Sequence, residues 1–352
     1  LCLLLACGSE PPPAPETPAG PRYSATESTT PNGNVKLIVL RDEEAGVEIS
    51  VAPEKGGEMS SLRVRKGGEW VETLYLANDY APREGWTGKA PLLWPATGRN
   101  FPKGFKPETK PDGSIERGRY KLDGKTYEMP GHGFVRDMAW TVDHFEATAN
   151  HASAVLSLDD TESTRALYPF GYRIVVEYAL SEGDATLDYT VIAKPGNTRE
   201  MPFSIGNHIT FNTPLVAGGQ AAAVELTTPS TKELLKDAGL PTGEGRDKSY
   251  ANFKLGDFPV KEAVSLTGYA NDPYVELADR SGLTIKMTQT ASKLPEQPYV
   301  AFNLWGDPPD GYFSPEPWVG LQNSFVLDEG LVRLDPGELF YWTIRIHADA
   351  VR

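Results

Sequence analysis

Two histidines and one glutamate lie in short segments whose residue types suit acid–base chemistry. His132 stands between glycines in "PGHGF", His208 in "SIGNHITFN" (204–212), and Glu316 opens "EPWVG". Imidazole and carboxyl groups can donate or remove protons near neutral pH when their surroundings adjust their pKa values. The same types could bind zinc, but the three residues come from distant segments without a closely spaced histidine pair. We therefore expect general acid–base catalysis without a metal, with a zinc site as the competing hypothesis.

The segment around His208 has the pattern of a half-buried strand. Its large apolar residues recur at alternate positions, namely Ile205, Ile209 and Phe211. Alternate residues of a strand point to opposite faces, so His208 should lie on the face away from the core. Gly206 and Thr210 share that phase and are small, which predicts room for a ligand beside the imidazole.

Five segments of this sequence occur in a specific order. They are "PLLWPATGR", "YKLDGKTYEMPGHGFVRDMAW", "IGNHITFN", "EPWVG" and a closing "LDPGELFYWTIRI". The series resembles the aldose 1-epimerases (galactose mutarotases), and most closely the bacterial members with an "HGFARD"-like signature. The resemblance runs from Val47 to His347 and implies a large antiparallel β-supersandwich. It also implies acid–base catalysis at the anomeric carbon of a free sugar, without an organic cofactor.

The resemblance assigns roles to individual residues. His208 matches the general acid, Glu316 the general base, His132 a second site histidine, and Arg99 the arginine that contacts sugar hydroxyls. The other residues expected to contact the sugar are Asn207, Trp305 and Trp318. Many family members have a sugar-binding aspartate within 228–262; the two candidates here, Asp247 and Asp257, stay unassigned.

The exchange of anomers requires an acid and a base, independently of the family resemblance. A base removes the proton of the C1 hydroxyl while an acid protonates the ring oxygen, the ring opens, and the roles reverse after rotation about C1–C2. Aromatic side chains can bind the partly apolar face of a sugar. The candidates in the loops are Trp94, Trp305, Tyr312, Phe313 and Trp318. We expect the three remaining histidines, His144, His151 and His347, to be structural.

The elements that position these residues are mostly strands. Short alternating segments recur from Val35 onward, with a hairpin turn at Asp123-Gly124, and no strand alternates with a long amphipathic helix. This predicts an all-β antiparallel sandwich. One helix is predicted at 231–239. Three stretches rich in Gly, Pro and aromatic residues predict long loops that carry the site: 78–117, 228–262 and 305–330.

Charge and composition restrict the partners. The net charge is −14, which argues against nucleic acid and makes anionic ligands less favourable. With 39% hydrophobic residues, the 352-residue chain can form one large all-β domain or two ordinary ones. A neutral sugar is the expected ligand, and the oligomeric state is left open.

The first residues predict the cellular location. Residues 1–6 form an apolar run that ends before Cys7, in "LLAC", as in the lipobox of bacterial lipoprotein signal peptides. The resemblance implies that Cys7 becomes lipidated, and an ordinary secretory segment is the alternative. No cationic stretch precedes the run, so we expect the natural chain to begin earlier. Residues 7–34 predict a disordered Pro-rich tether, and 35–352 the epimerase-like domain. The protein would then be extracytoplasmic and touch the membrane only through its lipid.

Two other functions fit the same residues. A non-catalytic carbohydrate-binding lipoprotein would keep the sandwich and its cleft. A hexose-6-phosphate 1-epimerase would need a dedicated arginine cluster for the phosphate, which the acidic composition disfavours.

Overall fold

The computed structural model describes residues 20–31, 33–76, 86, 88–105, 108–109, 111, 116–237 and 240–350. The regular structure of these residues is mostly antiparallel strand, which confirms the predicted all-β class and large antiparallel sandwich. The predicted signal-peptide remnant and the lipidation site Cys7 lie outside them. None of the helices in the described ranges has the length and hydropathy needed to span a bilayer.

The strands, in chain order, are β1 (Tyr23–Thr29), β2 (Lys36–Asp42), β3 (Val47–Ala52), β4 (Glu58–Lys66), β5 (Glu69–Glu72), β6 (Leu92–Leu93), β7 (Gly118–Leu122), β8 (Lys125–Met129), β9 (Thr141–Ala147), β10 (Ala152–Asp159), β11 (Tyr172–Ser181), β12 (Asp184–Ala193), β13 (Met201–Phe203), β14 (Ile205–Asn207), β15 (Phe211–Asn212), β16 (Glu225–Thr228), β17 (Lys232–Asp237), β18 (Leu240–Asp247), β19 (Tyr250–Lys254), β20 (Val264–Thr267), β21 (Tyr274–Asp279), β22 (Leu283–Ala291), β23 (Val300–Asp307), β24 (Tyr312–Gly320), β25 (Val332–Leu334) and β26 (Leu339–Ala350). The α-helices are α1 (Glu162–Leu167) and α2 (Ser324–Leu327). The 3₁₀ turns are Val135–Asp137, Ala221–Ala223, Leu255–Asp257 and Pro308–Asp310.

Two large sheets form the body of the sandwich. The first has nine strands in the order β19-β16-β21-β22-β26-β12-β11-β10-β9. The second has eight, in the order β18-β17-β20-β23-β24-β14-β6, with β15 also paired to β24. A five-stranded sheet, β1 to β5, packs beside β9–β11. Two-stranded ribbons, β7–β8 and β13–β25, complete the fold.

The nine-stranded sheet follows the alternation of its sequence. In β11 every second residue is buried, beginning with Tyr172, and β26 repeats the pattern with aromatic and branched residues. β11 and β12 are joined by a two-residue turn, Glu182-Gly183, whose φ angles are +53° and +84°. Turns with positive φ at both positions match the twist of paired strands. Local sequence therefore accounts for this sheet directly.

The predicted hairpin at Asp123-Gly124 is confirmed and forms the β7–β8 ribbon. The two turn residues have φ angles of +49° and +75°, as the short turn requires. The ribbon is fixed to the body of the protein at Asn100, whose carbonyl accepts a hydrogen bond from Arg119 N at 2.8 Å. A Cβ at Gly118 would lie 2.2 Å from that carbonyl oxygen, so only glycine permits the contact.

The eight-stranded sheet contains a break beside its central strand β24. β15 pairs with β24 as far as Phe313, and β14 pairs with it from Trp318 onward. Residues 208–210 cross the gap between these pairings. The backbone N–H groups of His208 and Thr210 donate to Pro91 and Lys89 rather than to β24. The break leaves a slot beside the middle of β24.

Polar side chains, in addition to apolar ones, connect the two large sheets. Asn207 donates to the hydroxyl of Tyr189 in β12 at 3.0 Å. Gln289 in β22 accepts from the indole of Trp342 at 2.8 Å and donates to the carbonyl of Trp318 at 3.3 Å. Buried polar groups that are paired in this way fix the relative position of the sheets.

Two sequence predictions about secondary structure are wrong. The predicted helix at 231–239 is strand β17 where the structure describes it, because hydrogen bonding to β18 and β20 on both sides overrides the helix propensity of Lys, Glu and Leu. The stretches 228–262 and 305–330 are not long loops, since they hold β17–β19 and β24.

The predicted disordered tether, residues 7–34, extends too far toward the C-terminus. Residues Tyr23–Thr29 form β1, which pairs with β2 from Tyr23 opposite Asp42 to Thr29 opposite Lys36. Tyr23 is buried in the core, and the guanidinium of Arg22 donates to the buried carboxylate of Asp42 at 3.0 Å. These few anchoring contacts order a segment whose overall composition is polar.

Candidate active site

A cleft of about 1080 Å³ lies over the slot beside β24. Its inner end is formed by residues 208, 303, 305, 316 and 318, and by the turn at 131–132. Its outer end runs along the β7–β8 ribbon, past Arg99 and Phe101. A cleft of this size is at the upper end of the range that binds small molecules, about 300–1,000 Å³.

His208 lies at the floor of the cleft, on the face that the sequence predicts. The alternate residues Ile205, Ile209 and Phe211 are fully buried in the core, while His208 lines the cleft with 6% of its surface exposed. The space at Gly206 serves another purpose than predicted. A Cβ there would lie 2.6 Å from the indole of Trp318, so the glycine makes room for that ring.

Glu316 lies in the middle of β24 and is almost completely buried. Asn303, its neighbour in β23, donates from Nδ2 to Oε1 at 3.0 Å, and Trp318 donates from Nε1 to Oε2 at 3.1 Å. Burial nevertheless raises the pKa of Glu316 to about 8, against the opposing effect of these two donors. The carboxyl group is therefore held in one orientation with one donor on each oxygen.

His208 and Glu316 face each other across a short gap. His208 Nε2 lies 3.6 Å from Glu316 Oε1, which is longer than a hydrogen bond. Burial, with the positive charge of Arg136 as a smaller cause, lowers the pKa of His208 to about 3. Between about pH 3 and about pH 8, His208 and Glu316 together hold one proton, and burial places that proton on the carboxyl group of Glu316. One acid and one base are thus available over a wide pH range.

The other imidazole nitrogen of His208 is held by a hydroxyl cluster. His208 Nδ1 lies 3.3 Å from Thr210 Oγ1, which is 2.8 Å from Ser314 Oγ. The indole of Trp86 donates to the same Thr210 oxygen at 3.3 Å. All of these residues except Trp86 are buried, so the ring is fixed with Nε2 directed at Glu316.

His132 enters the cleft from a tight turn. Its φ angle is +65°, and two bonds to Gly98 hold it: His132 N donates to Gly98 O at 2.7 Å, and Gly98 N donates to His132 Nδ1 at 3.1 Å. Burial, and then the charge of Arg136, lower its pKa well below the usual value. With Nδ1 accepting a hydrogen bond, the neutral ring carries its proton on Nε2. His132 is a fixed hydrogen-bond donor, and its ring centroid is 5.8 Å from that of His208.

A cation borders this group of ionisable side chains. Arg136 lines the cleft, and its Nη2 donates to Gly131 O at 3.0 Å, which supports the turn that carries His132. Its Nε lies 3.9 Å from Asp137 Oδ2. Arg99 also lines the cleft and is exposed.

Aromatic rings form one wall of the inner end. The indole of Trp305 meets the His208 ring edge-on at 5.6 Å and Trp86 edge-on at 5.2 Å between centroids. Trp86 in turn stacks on Tyr75 at 5.7 Å. Such a wall suits the apolar face of a sugar ring.

The structure brings most of the predicted site residues together. The cleft is lined by His132, His208, Glu316, Arg99, Trp305 and Trp318. Asn207 does not line it. Its side chain points to Tyr189 in the other sheet, because Asn207 shares the strand phase of the core residues.

Other expectations for the cleft are corrected by the positions of the side chains. Trp94 packs against Tyr172 with centroids 4.4 Å apart, and Phe313 is fully buried in the core, so neither is a sugar platform. Asp247 and Asp257 do not line the cleft either. The histidines expected to be structural, His144, His151 and His347, are likewise outside it.

Sequence reasoning missed Trp86, Asn303 and Arg136. Asn303 has a recognisable signal, since it alternates with Trp305 in "AFNLWG" and so shares its face of β23. Arg136 lies four residues after His132, within one of the five segments that carry the resemblance. Trp86 has no local signal. Within the described ranges, no three His, Cys, Asp or Glu side chains are grouped so that they could hold a metal ion.

Comparison with known proteins gives a consistent result. The family model described as aldose 1-epimerase matches residues 36–264. Protein LacX from Lactococcus lactis subsp. lactis is 25% identical over 312 residues, which cover 85% of this chain and 92% of that protein.

Two solved structures illustrate the likeness in fold. A galactose mutarotase-like protein from Clostridium acetobutylicum superposes with a TM-score of 0.72 at 20% identity, covering 94% of this chain and 99% of that one. The galactose 1-epimerase from Lactobacillus acidophilus NCFM gives 0.66 at 17% identity, covering 95% and 100%. At these identities the superpositions establish the fold alone.

Proposed function

The chain belongs to the aldose 1-epimerase family, and from that premise we propose that it interconverts the α- and β-anomers of a neutral free sugar. The observation that carries the proposal is the His208–Glu316 pair. Its facing atoms, 3.6 Å apart at the floor of the cleft, hold one proton between an imidazole and a carboxyl group. Anomer exchange needs one acid and one base of this kind.

The reaction proceeds with the pair's single proton. A bound sugar donates its C1 hydroxyl to Glu316, and together with Asn303 and Trp318 this third donor stabilises the carboxylate. The reactive arrangement is the one with the pair's proton on His208 Nε2, and this third donor makes it more favourable than it is in the free protein. Glu316 takes the proton of the C1 hydroxyl, His208 gives its proton to the ring oxygen, and the C1–O5 bond breaks to the open-chain aldehyde. Rotation about C1–C2 and the reverse transfers close the ring as the other anomer.

His132 and Arg99 bind the sugar hydroxyls in this proposal. His132 donates from Nε2, because its Nδ1 is occupied by Gly98 N. Arg99 lines the cleft beside the turn at Gly131, where an added Cβ would lie 3.5 Å from the arginine Cγ. Trp305 and the ring of Trp318 supply apolar surface.

Polarimetry on the purified domain tests the proposal. Freshly dissolved α-glucose, α-galactose and α-xylose should reach equilibrium faster with the protein than in buffer. If the protein binds these sugars in calorimetry but does not accelerate any of them, the competing function, a non-catalytic carbohydrate-binding protein, is correct. Acceleration restricted to hexose 6-phosphates would contradict the neutral-sugar assignment.

We also propose that the protein is lipid-anchored and extracytoplasmic, which rests on the sequence around Cys7 alone. Cys7→Ser, expressed in a bacterium from the complete gene, should move the protein from the detergent phase to the aqueous phase in a phase-partitioning assay. Mutarotation should not change, because a Pro-rich segment separates Cys7 from β1. Unchanged partitioning would contradict the proposal.

A further inference from the structure

A hydrogen-bonded row of side chains leads to Glu316 from a neighbouring part of the eight-stranded sheet. Ser265 in β20 stands directly opposite Asn303 in β23, and Asn303 stands directly opposite Glu316 in β24. Residues opposite one another in neighbouring strands have their side chains on the same face of the sheet. Ser265 Oγ donates to Asn303 Oδ1 at 3.0 Å, and Asn303 Nδ2 donates to Glu316 Oε1 at 3.0 Å. The row therefore runs without a break from β20 to the carboxyl group.

Ser265 is the member of this row that lies outside the cleft lining. Asn303 and Glu316 line the cleft, whereas Ser265 is buried with 2% of its surface exposed. Its neighbours in β20, Val264 and Leu266, belong to the hydrophobic core. Within the described ranges, the amide oxygen of Asn303 is the one hydrogen-bond partner of the Ser265 side chain. The position of this hydroxyl is therefore explained by the amide rather than by contact with a ligand.

An asparagine amide can take two orientations, and they act on Glu316 in opposite ways. In the orientation found here Asn303 Nδ2 faces the carboxyl group, so the amide stabilises the carboxylate. Turned over, the amide would place Oδ1 against Glu316 Oε1. An oxygen there repels a carboxylate but accepts the O–H of a protonated carboxyl group. The reversed amide would therefore favour the protonated form of Glu316, which cannot act as the base.

Ser265 distinguishes between the two orientations. In the present one its hydroxyl donates to Asn303 Oδ1. In the reversed one Ser265 Oγ would accept from Nδ2, and its own proton would have no acceptor among the residues that the structure describes. A buried donor without an acceptor costs free energy. The hydroxyl thus holds the amide in the orientation that favours the carboxylate.

We propose that Ser265 is a positioning residue for the exchange of anomers: it fixes the amide of Asn303 with Nδ2 toward Glu316 and so favours the carboxylate that acts as the base. This inference rests on the proposed function, because it takes Glu316 as the base.

Other groups that act on Glu316 are not altered by a substitution at Ser265. Burial raises the pKa of Glu316, and the positive charges of Lys236 in β17 and of Arg136 oppose that effect. His208 faces the carboxyl group at 3.6 Å. A change in the pKa of Glu316 after substitution of Ser265 therefore reports the orientation of the amide between them.

Ser265→Ala tests this role with little change in side-chain volume. We expect kcat to fall roughly 3- to 10-fold, as for the loss of one neutral hydrogen bond. KM should stay near the wild-type value, because Ser265 is outside the cleft lining. The pH above which the rate falls should be higher than in the wild type, since the pKa of Glu316 rises when the carboxylate loses its donor. Ser265→Thr keeps a hydroxyl and should keep most of the wild-type kcat.

Two further variants show whether Ser265 acts through Asn303. Ser230→Ala is the matched control, because Ser230 is also buried and its hydroxyl donates to the carbonyl of Thr267, at the far end of β20. It should leave kcat and the pH profile unchanged. The double variant Ser265→Ala/Asn303→Leu should have the kcat of Asn303→Leu alone, since no amide remains for the hydroxyl to orient.

The inference is overturned by wild-type kcat in Ser265→Ala, by a loss confined to KM, by an equal loss in Ser230→Ala, or by losses that multiply in the double variant. Infrared titration separates it from the proposed function. The band of the protonated Glu316 carboxyl group, assigned by its absence in Glu316→Gln, gives the pKa without any turnover. If no sugar is turned over, a higher pKa in Ser265→Ala than in the wild type supports the orienting role of Ser265 while the catalytic proposal fails. An equal pKa in the two proteins overturns that role.

Discussion

The nine-stranded and eight-stranded sheets bury their residues in different ways. In the nine-stranded sheet the long strands β11 and β26 alternate, with apolar and aromatic residues inward and polar ones outward. In the eight-stranded sheet β24 is buried along its whole length, and its buried residues include Ser314 and Glu316. One sheet supplies hydrophobic stabilisation with a solvated outer face, and the other carries buried ionisable groups at the floor of the cleft.

The difference shows what burial does in each place. Removing hydrocarbon from water stabilises the fold, whereas burying a carboxyl group costs free energy unless it is protonated or hydrogen-bonded. The same burial raises the pKa of Glu316 and lowers that of His208. We expect substitutions in the eight-stranded sheet to change turnover and those in the nine-stranded sheet to change stability. The predictions below follow the size of the expected effect on turnover.

Glu316→Gln should have the largest effect. The amide keeps the shape of the side chain but cannot act as the base, so kcat should fall on the order of 10²–10⁴. Since the pKa of Glu316 is raised from 4.5 to about 8 in the folded state, its burial destabilises the protein increasingly as pH rises between these values. The variant should therefore melt at or above the wild-type temperature at pH 8. Glu177→Gln, on the exposed face of β11, is the control and should leave turnover unchanged.

His208→Gln should lose mutarotation by roughly two orders of magnitude or more, because the group that protonates the ring oxygen is gone. Thermal melting should stay near wild type. His347→Gln makes the same substitution in the nine-stranded sheet, where His347 is paired with Asp184 at 2.7 Å near the surface. Full activity of His208→Gln would remove it from the mechanism, and an unfolded variant would make it a structural residue.

Asn303→Leu should lower kcat by roughly 10- to 100-fold, because it removes the donor to Glu316 Oε1 and so disfavours the carboxylate. The pKa of Glu316 should rise further. The pH above which the rate falls should then be higher in the variant than in the wild type. If the rate falls at the same pH in the variant and in the wild type, Asn303 does not act on this carboxyl group.

The wild-type pH profile should be flat through the mildly acidic range and fall above about pH 8. The pair keeps one proton between the pKa values of about 3 and about 8. Above the upper value that proton is lost and no acid remains, so the rate falls as pH rises. Initial rates between pH 5 and 10 in buffers of constant ionic strength would show the limb. A rate that increases steadily above pH 8 would contradict the assignment.

Leu187→Ala should have the smallest effect on turnover and a large one on stability. Leu187 is fully buried in β12, and its truncation should cost about 2–5 kcal/mol of unfolding free energy. The rate per folded molecule should stay at the wild-type value. Denaturant titration and polarimetry of the same preparation would separate the two quantities.

The sequence predicts the nine-stranded sheet far better than the site. Alternation is a local signal, and β11 and β26 show it. The two-residue turn Glu182-Gly183 that joins β11 to β12 is equally local. β24 gives no such signal, because a strand buried on both faces does not alternate, so its segment reads as a loop. The segment of β17 reads as a helix because Lys, Glu and Leu favour helices, and one of the two strands that hold it extended, β20, is distant in sequence.

For the site, motifs identify the ionisable residues but not all of the residues that hold them in position. His132, His208 and Glu316 lie together in the cleft as expected. The strand phase puts Asn303 on the same face as Trp305, but its hydrogen bond to Glu316 depends on β23 and β24 becoming neighbours. The position of Trp86 has no local signal in the sequence. The error at Asn207 is avoidable, since its place in the alternation already puts it on the core face.

The break in the ladder beside β24 also protects the site against a misassembled sheet. Within the described ranges, residues 314–317 have no strand partner on the side of β14 and β15, although the pairings above and below the gap share one register, so the ladder could close without a slip. Pro315 and Pro317 supply no N–H, so continuous pairing across this stretch would gain fewer hydrogen bonds than an ordinary strand would offer. The two prolines that flank Glu316 thus disfavour an inactive sheet in which β24 is paired along its whole length. The slot stays open, and the imidazole of His208 can face the carboxyl group.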